Sequence, residues 1–152
     1  MAVHEVAPTE AELAAWKGFL RVHAAMRKAL DAELEAEHGL SLSSFEVLSA
    51  LRCSAHGRLR MADLAEHAQL SRSGMTRLVD RLERLGWLTR CSCSDDARGC
   101  FAVLSAAGAE VIDRARPTHR RNVRERFLRH CDDDDLARLT ALFDVMLAGE
   151  PA

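Results

Sequence analysis

Apolar residues recur at three- and four-residue intervals along most of the chain, and the breaks in that rhythm divide it into helices. After a loose start ending near Pro8, Thr9 is placed to cap a long first helix carrying Leu13, Trp16, Leu20, Met26, Leu30 and Leu34, and Gly39 ends it. A second helix, capped by Ser43 or Ser44, presents Phe45, Leu48 and Leu51 and breaks at His56 and Gly57. Arg58, Leu59 and Arg60 alternate like a strand stub. Residues 61–68 predict a short third helix with Leu64 and Ala68 inward. Ser71 restarts the chain as a fourth helix through Leu78, Leu82 and Leu85 to Gly86, so two helices meet at a tight turn around Gln69 and Leu70.

The period then changes from about 3.6 to 2. Residues 87–93 and 100–104 read as two strands, with the polar run 94–99 as the hairpin loop between them. Ser105 caps a fifth helix that continues, with a bend expected at Pro117, to about His130. Asp132 to Asp135 open a sixth, with Leu136, Leu139, Phe143 and Met146 on one face. A short helix, a tight turn, a second helix and a β hairpin form the winged helix-turn-helix arrangement. The fold class is therefore mainly α with a small β wing. Residues 1–38 supply an N-terminal helix, 39–108 the winged region and 109–152 the C-terminal helices, all in one integrated domain.

Composition agrees with one helical domain. The chain has 152 residues, enough to bury a core without disulfides or a structural metal. With 48% hydrophobic and 29% charged residues, 3 Pro and 8 Gly, it is neither disordered nor fibrous. Aromatic residues make up 5% and Tyr is absent, which disfavours a β sandwich. No stretch approaches the roughly 18 apolar residues that span a bilayer, and the five cysteines, an odd number, suit a reducing compartment. The expected location is cytoplasmic.

The net charge of -2 hides a strong segregation. Seven arginines (114, 116, 120, 121, 124, 126 and 129) stand against Glu125 alone, and four aspartates follow at 132–135. Such a block reads either as a solvated helix face before an acidic helix start or as a surface for an anionic partner. Of 21 basic residues only Lys17 and Lys28 are lysine, so the positive charge sits in planar, forked donors suited to phosphate. At the start of the fourth helix, Ser71, Arg72, Ser73, Thr76 and Arg77 occupy the first two turns, where backbone amides and hydroxyls meet phosphate and a guanidinium can bond guanine. Periodicity alone leaves an ordinary capped amphipathic helix as the other reading.

The string Leu70 to Gly86, LSRSGMTRLVDRLERLG, followed by Trp87-Leu88-Thr89-Arg90, Asp95-Asp96-Ala97-Arg98-Gly99 and Val103-Leu104-Ser105-Ala106-Ala107-Gly108, closely resembles the multiple-antibiotic-resistance regulator (MarR) family of winged-helix transcription factors. Asp96, Arg98, Leu104, Ser105 and Gly108 fall on that family's pattern of D-x-R, a hydrophobic strand, L-T/S and a glycine in the next helix. The resemblance covers nearly the whole chain. It implies a ligand-responsive repressor that binds double-stranded DNA as a homodimer on an inverted-repeat operator. Ser71, Arg72, Ser73, Thr76 and Arg77 would then face the major groove, Arg98 the minor groove with Asp96 orienting it, and Arg90 would join the DNA contacts. The end helices build the dimer in this family, which makes Leu13, Trp16, Leu20, Leu136, Leu139, Phe143 and Met146 the interface candidates. Trp16, Phe19, His23 and Phe45 are candidates to line a pocket for a small aromatic or phenolic effector; the alternative is core packing.

Where relatives often carry charged residues in the wing, this chain has Cys91-Ser92-Cys93, which puts one phosphate contact in doubt. Cys91, Cys93 and Cys100 are either small residues without a role, an oxidant-sensing thiol pair (Cys93 with Cys100), or part of a soft-metal site. Cys53 reads as a buried small hydrophobe. The seven histidines form no tight ligand motif such as HExxH, and no metal or cofactor is expected. Nor is there a phosphate loop, a dinucleotide fingerprint or a nucleophile with a paired base, so an enzyme is not indicated. A protein-interaction module on the same fold is the remaining alternative.

Overall fold

The computed structural model describes residues 7–68, 70–92 and 100–149. These form α1 (Glu10–His38), α2 (Leu42–Cys53), β1 (Arg58–Arg60), α3 (Met61–His67), α4 (Arg72–Arg84), β2 (Leu88–Ser92), β3 (Cys100–Leu104), α5 (Ala106–Arg126), a 3-10 turn (Leu128–His130) and α6 (Asp133–Ala148). The order expected from the sequence holds. The strand stub completes the wing's sheet: β1 pairs antiparallel with β3, and β3 with β2, in the order β1-β3-β2.

Local chemistry explains most of the boundaries. Thr9 and Glu12 form a reciprocal capping box at the start of α1, and Asp132 with Asp135 does the same for α6. Gly39 takes φ 60° and closes α1, its amide bonding the Glu35 carbonyl at 2.9 Å. The cap of α2 is Ser41 rather than Ser43 or Ser44, because its hydroxyl is the one that accepts from the Ser44 amide. α5 is helical through Pro117 and stops at Arg126, four residues before the expected end, where the chain tightens into the 3-10 turn. Cys53, expected in the core, is exposed at the last position of α2, and Arg116 donates to its sulfur at 3.3 Å.

One core joins every element except α6 and the 3-10 turn. Leu30 and Leu34 of α1, Val47, Leu48 and Leu51 of α2, Leu64 of α3, Met75, Val79 and Leu82 of α4, Leu88 and Ala102 of the sheet, and Ile112 and Ala115 of α5 are all buried, with Leu59 of β1 packed against them. Two ion pairs fix α2 to its flanking helices: Arg27 holds Glu46 bidentately at 2.7 and 3.2 Å, and Arg52 holds Asp113 at 3.3 and 3.2 Å. Buried Thr118 and Asn122 on α5 are satisfied, Thr118 by Glu37 and His38 of α1, and Asn122 by the Thr118 carbonyl and Arg126.

α1 divides into two parts. Its last turns are in the core, but Leu13, Trp16, Phe19 and Leu20 are exposed, Trp16 by 57%. No residue of α6 is buried, and Leu142, Phe143, Val145 and Met146 are exposed along it. α1 and α6 thus both carry apolar faces that the described residues do not cover.

Candidate nucleic-acid interface

The fourth helix gains its orientation from Met75, Val79 and Leu82, which bury one side and leave the opposite side outward. Arg72, Ser73, Thr76 and Arg77 are all exposed on that outward side, within the first turns. The guanidiniums of Arg72 and Arg77 make no hydrogen bond or ion pair among the described residues, so both are available to a ligand. Ser71 does a structural job: its hydroxyl accepts from the Gly74 amide at 3.2 Å and lies 3.2 Å from the Ser73 hydroxyl. The Thr76 hydroxyl donates to the Arg72 carbonyl at 3.0 Å, leaving its acceptor lone pairs and methyl group outward.

Arg90 behaves differently from its expected role as a DNA contact. From β2 it reaches back to α4, where its guanidinium bonds Glu83 at 3.0 Å, the Thr76 carbonyl at 3.4 Å and the Asp80 carboxylate. Its backbone amide also donates to Glu83 at 2.9 Å. The Asp80 hydrogen bond, with Asp80 and Glu83 close by, raises the Arg90 pKa further against the opposing effect of burial. A guanidinium committed to two carboxylates and a carbonyl has little left for phosphate. Arg90 positions the wing against the helix, a role the sequence pattern did not suggest because its acidic partners lie seven and ten residues upstream.

Asp96, Arg98 and Cys93 lie outside the described residues. Of the wing thiols, Cys91 pairs opposite Phe101 and Cys100 opposite Ser92, so these two alternate to opposite faces of the sheet. Both are exposed. They cannot meet each other, and among the described residues no group of three histidine, cysteine or acidic side chains is placed to hold a metal ion.

The four residues expected to line an effector pocket separate into two sites. Trp16, Phe19 and His23 stack along the outside of α1, with ring centroids 6.0 and 6.3 Å apart. Phe45 is buried on α2 against His119 of α5, centroids 4.3 Å apart. Trp16 precedes Arg27, the α1 residue tied to α2 beside Phe45, by eleven positions, about 16 Å along a helix. Desolvation holds the His119 pKa below its ordinary value, opposed by the charge of Glu46. Beside His119 a cavity of about 340 Å³ is lined by Arg120, Arg121, Val123, Arg124 and Leu128.

A core-anchored helix behind a short helix and turn, flanked by a three-stranded wing and presenting Arg72 and Arg77 outward, defines a winged helix-turn-helix protein. The family model described as "MarR family" matches residues 38–99. Among solved structures, Streptomyces coelicolor Sco3205, a MarR family transcriptional regulator in complex with DNA, is 29% identical, with a TM-score of 0.91 over 99% of this chain and 95% of that one. Streptomyces coelicolor AbsC, a MarR family transcriptional regulator, is 32% identical with a TM-score of 0.84, over 95% of this chain and 99% of its own. The multiple antibiotic resistance protein MarR of Escherichia coli is 24% identical over 108 residues, which is 71% of this chain and 74% of that protein. The chain belongs to the MarR family, and it is a DNA-binding transcriptional regulator rather than an enzyme. Among the described residues no helix is long and apolar enough to cross a membrane.

Proposed function

We propose that the chain acts in the cytoplasm as a homodimeric repressor that reads an inverted-repeat operator through α4 and is released by a small aromatic or phenolic acid. The observation that carries this reading is the outward face of α4, where Arg72, Ser73, Thr76 and Arg77 stand exposed on a helix fixed by three buried residues and by the Arg90 clip. Four small polar or cationic side chains on a rigid helix suit a major groove. The Sco3205 complex, nearly superimposable over the whole chain, supports DNA as the partner.

Dimerisation is supported by the apolar faces of α1 and α6, where Leu13, Trp16 and Leu20 and, on α6, Phe143 and Met146 are exposed beside half-buried Leu136 and Leu139. A two-fold axis through those ends would place the two α4 helices on successive major grooves, about one helical turn apart. The cleft beside His119 supports the effector class: Arg120 and Arg124 beside Val123 and Leu128 match a carboxylate on an apolar ring, with Arg121 paired to Glu37 at the rim, and about 340 Å³ accommodates a small one. Here Phe45 is the wall behind His119, while Trp16, Phe19 and His23 belong to the dimer face.

The test is a gel-shift titration of the purified protein on the intergenic DNA beside its gene, repeated with benzoate and hydroxybenzoate derivatives. A discrete complex with an inverted repeat, displaced by one of these acids, is expected. Binding that is equal on unrelated DNA would overturn the operator reading.

A further inference from the structure

One ring on α5 touches both the core and the cleft assigned to the effector. His119 stacks on buried Phe45 of α2, with ring centroids 4.3 Å apart and planes within 16°, and it also lines the cavity of about 340 Å³ with Arg120, Val123, Arg124 and Leu128. His119 and Val123 are four residues apart on α5, as are Arg120 and Arg124, so they form two neighbouring rows along the helix. Neither nitrogen of His119 has a hydrogen-bond partner among the described residues, and the guanidiniums of Arg120 and Arg124 have none either. The other charges around the ring are already paired. Glu46 of α2, whose charge acts on His119, is held bidentately by Arg27 of α1. On α5, Arg116 pairs with Asp113 at 3.7 Å and Arg121 with Glu37. From α1, Glu37 and His38 are both bonded to Thr118.

We propose that His119 is the residue that selects a carboxylate in this cleft, taking a proton from solvent as the acid binds and donating an N–H to it; the proposal rests on the effector reading above. In the empty cleft an imidazolium would be a third cation beside Arg120 and Arg124, half withdrawn from water. Burial accordingly keeps the ring's pKa below its ordinary value, against the opposing charge of Glu46. A carboxylate reverses the local sign. It adds an anion beside the ring, supplies the acceptor that His119 lacks within the chain, and lays its apolar part on Val123 and Leu128. A neutral amide of the same shape brings no charge and draws no proton. Because binding raises the pKa of the ring, the extra affinity is complete below the pKa of the empty site and is lost as the pH rises through that of the complex. The arginines stay charged throughout, so their share of the affinity does not vary over this range.

The purely structural alternative is that His119 only packs on Phe45, in which case a bound acid leaves its titration where it was. The experiment follows the His119 ring proton by NMR against pH, with and without saturating benzoate, the resonance being assigned by its absence from His119→Phe. Calorimetry measures the affinity of benzoate, 4-hydroxybenzoate and the uncharged benzamide at about pH 6 and about pH 8, where the carboxylates are ionised throughout. Benzoate should move the titration midpoint up by about 0.5 to 1, and the parent should bind both acids about two- to fivefold more tightly at the lower pH. His119→Phe, which keeps the aromatic stack, should bind them equally at both, and benzamide should show no dependence on pH in either protein. A midpoint that stays in place while benzoate binds, or a variant that keeps the parent's pH dependence, would overturn the role of His119 alone. A parent that binds neither acid at either pH overturns the effector reading and this one with it. Circular dichroism checks each variant. Should His119→Phe unfold, His119→Gln takes its place, and if that unfolds too the parent's acid affinities decide: equal values at the two pH values would overturn the proposal.

Discussion

Gly108, in the first turn of α5, lies so close to the Trp87 carbonyl that a Cβ would overlap its oxygen and press on Leu104 Cδ1 at 2.9 Å. The same junction is stitched by Ser105, whose hydroxyl donates to the Gly86 carbonyl at 2.6 Å and accepts from the Gly108 amide at 3.0 Å. The turn that leaves α4 is thereby packed directly on the start of α5. Gly108→Ala should destabilise the fold by about 1–3 kcal/mol despite the better helix propensity of alanine, read as a lower urea midpoint at unchanged slope. Gly18→Ala is the control: a Cβ there meets nothing within 4 Å, and about 0.5–1 kcal/mol of stabilisation is expected in mid-helix.

The Arg90 clip predicts a different failure. Arg90→Ala removes the bonds to Asp80, Glu83 and the Thr76 carbonyl together. Partly exposed pairs of this kind each contribute only about 0.2–1 kcal/mol, so the fold should survive with a modestly lower melting temperature. Operator affinity should fall while the salt slope stays with the parent, since no phosphate partner is lost. A slope that drops by about one would return Arg90 to the list of direct contacts.

Local signals carried most of the fold. Capping residues, the period shift at Trp87 and the glycine at 39 placed the six α-helices and three strands, though not the 3-10 turn after α5, because each depends on neighbours within a few positions. What escaped were relationships decided across the chain. Ser41, Ser43 and Ser44 are equivalent as letters, and only the entry path of α2 selects Ser41. Leu13 and Leu34 share one periodic stripe, yet α2 and α5 reach only the end that holds Leu34. Arg90 looked like its exposed neighbours in α4 until Asp80 and Glu83 were placed beside it. Cys53 had the residue type of a core position but fell at the open end of a helix.

Association through the chain ends gives a third expectation. Val145, Met146 and Phe143 are exposed among the described residues, Val145 by 74%. Light scattering of the parent at micromolar concentration should return twice the chain mass. Met146→Glu should shift the population toward monomer, since it places a charge in an apolar contact, and operator affinity should fall with it. A parent that is monomeric at those concentrations would remove the proposed two-fold assembly.

Base reading by α4 gives a fourth. The Arg77 guanidinium is exposed and has no partner among the described residues, so Arg77→Ala should cost about 1–3 kcal/mol of operator binding and relax preference at one base position in each half-site. Arg98→Ala, which removes the arginine of the family's D-x-R pattern, should weaken binding with less change in preference, as a shape-reading contact does. A binding-site selection on both variants measures the difference, and unchanged sequence logos and affinities would contradict the assigned roles.

His119 supplies a dependence on pH. It is half-buried on Phe45, and desolvation depresses its folded pKa below the unfolded value, so between the two values the unfolded chain binds the extra proton. Stability from this site is therefore complete above about pH 6.5 and declines as the pH falls toward the folded pKa. Glu46, which favours the charged ring, reduces the effect without reversing it. His119→Phe keeps an aromatic partner for Phe45 and removes the proton site. Melting temperatures taken from about pH 7.5 down to about pH 5.5 should fall further in the parent than in His119→Phe. Parallel curves for the two proteins would mean that His119 titrates alike in the folded and unfolded chains, and that the Phe45 stack leaves its proton affinity unchanged.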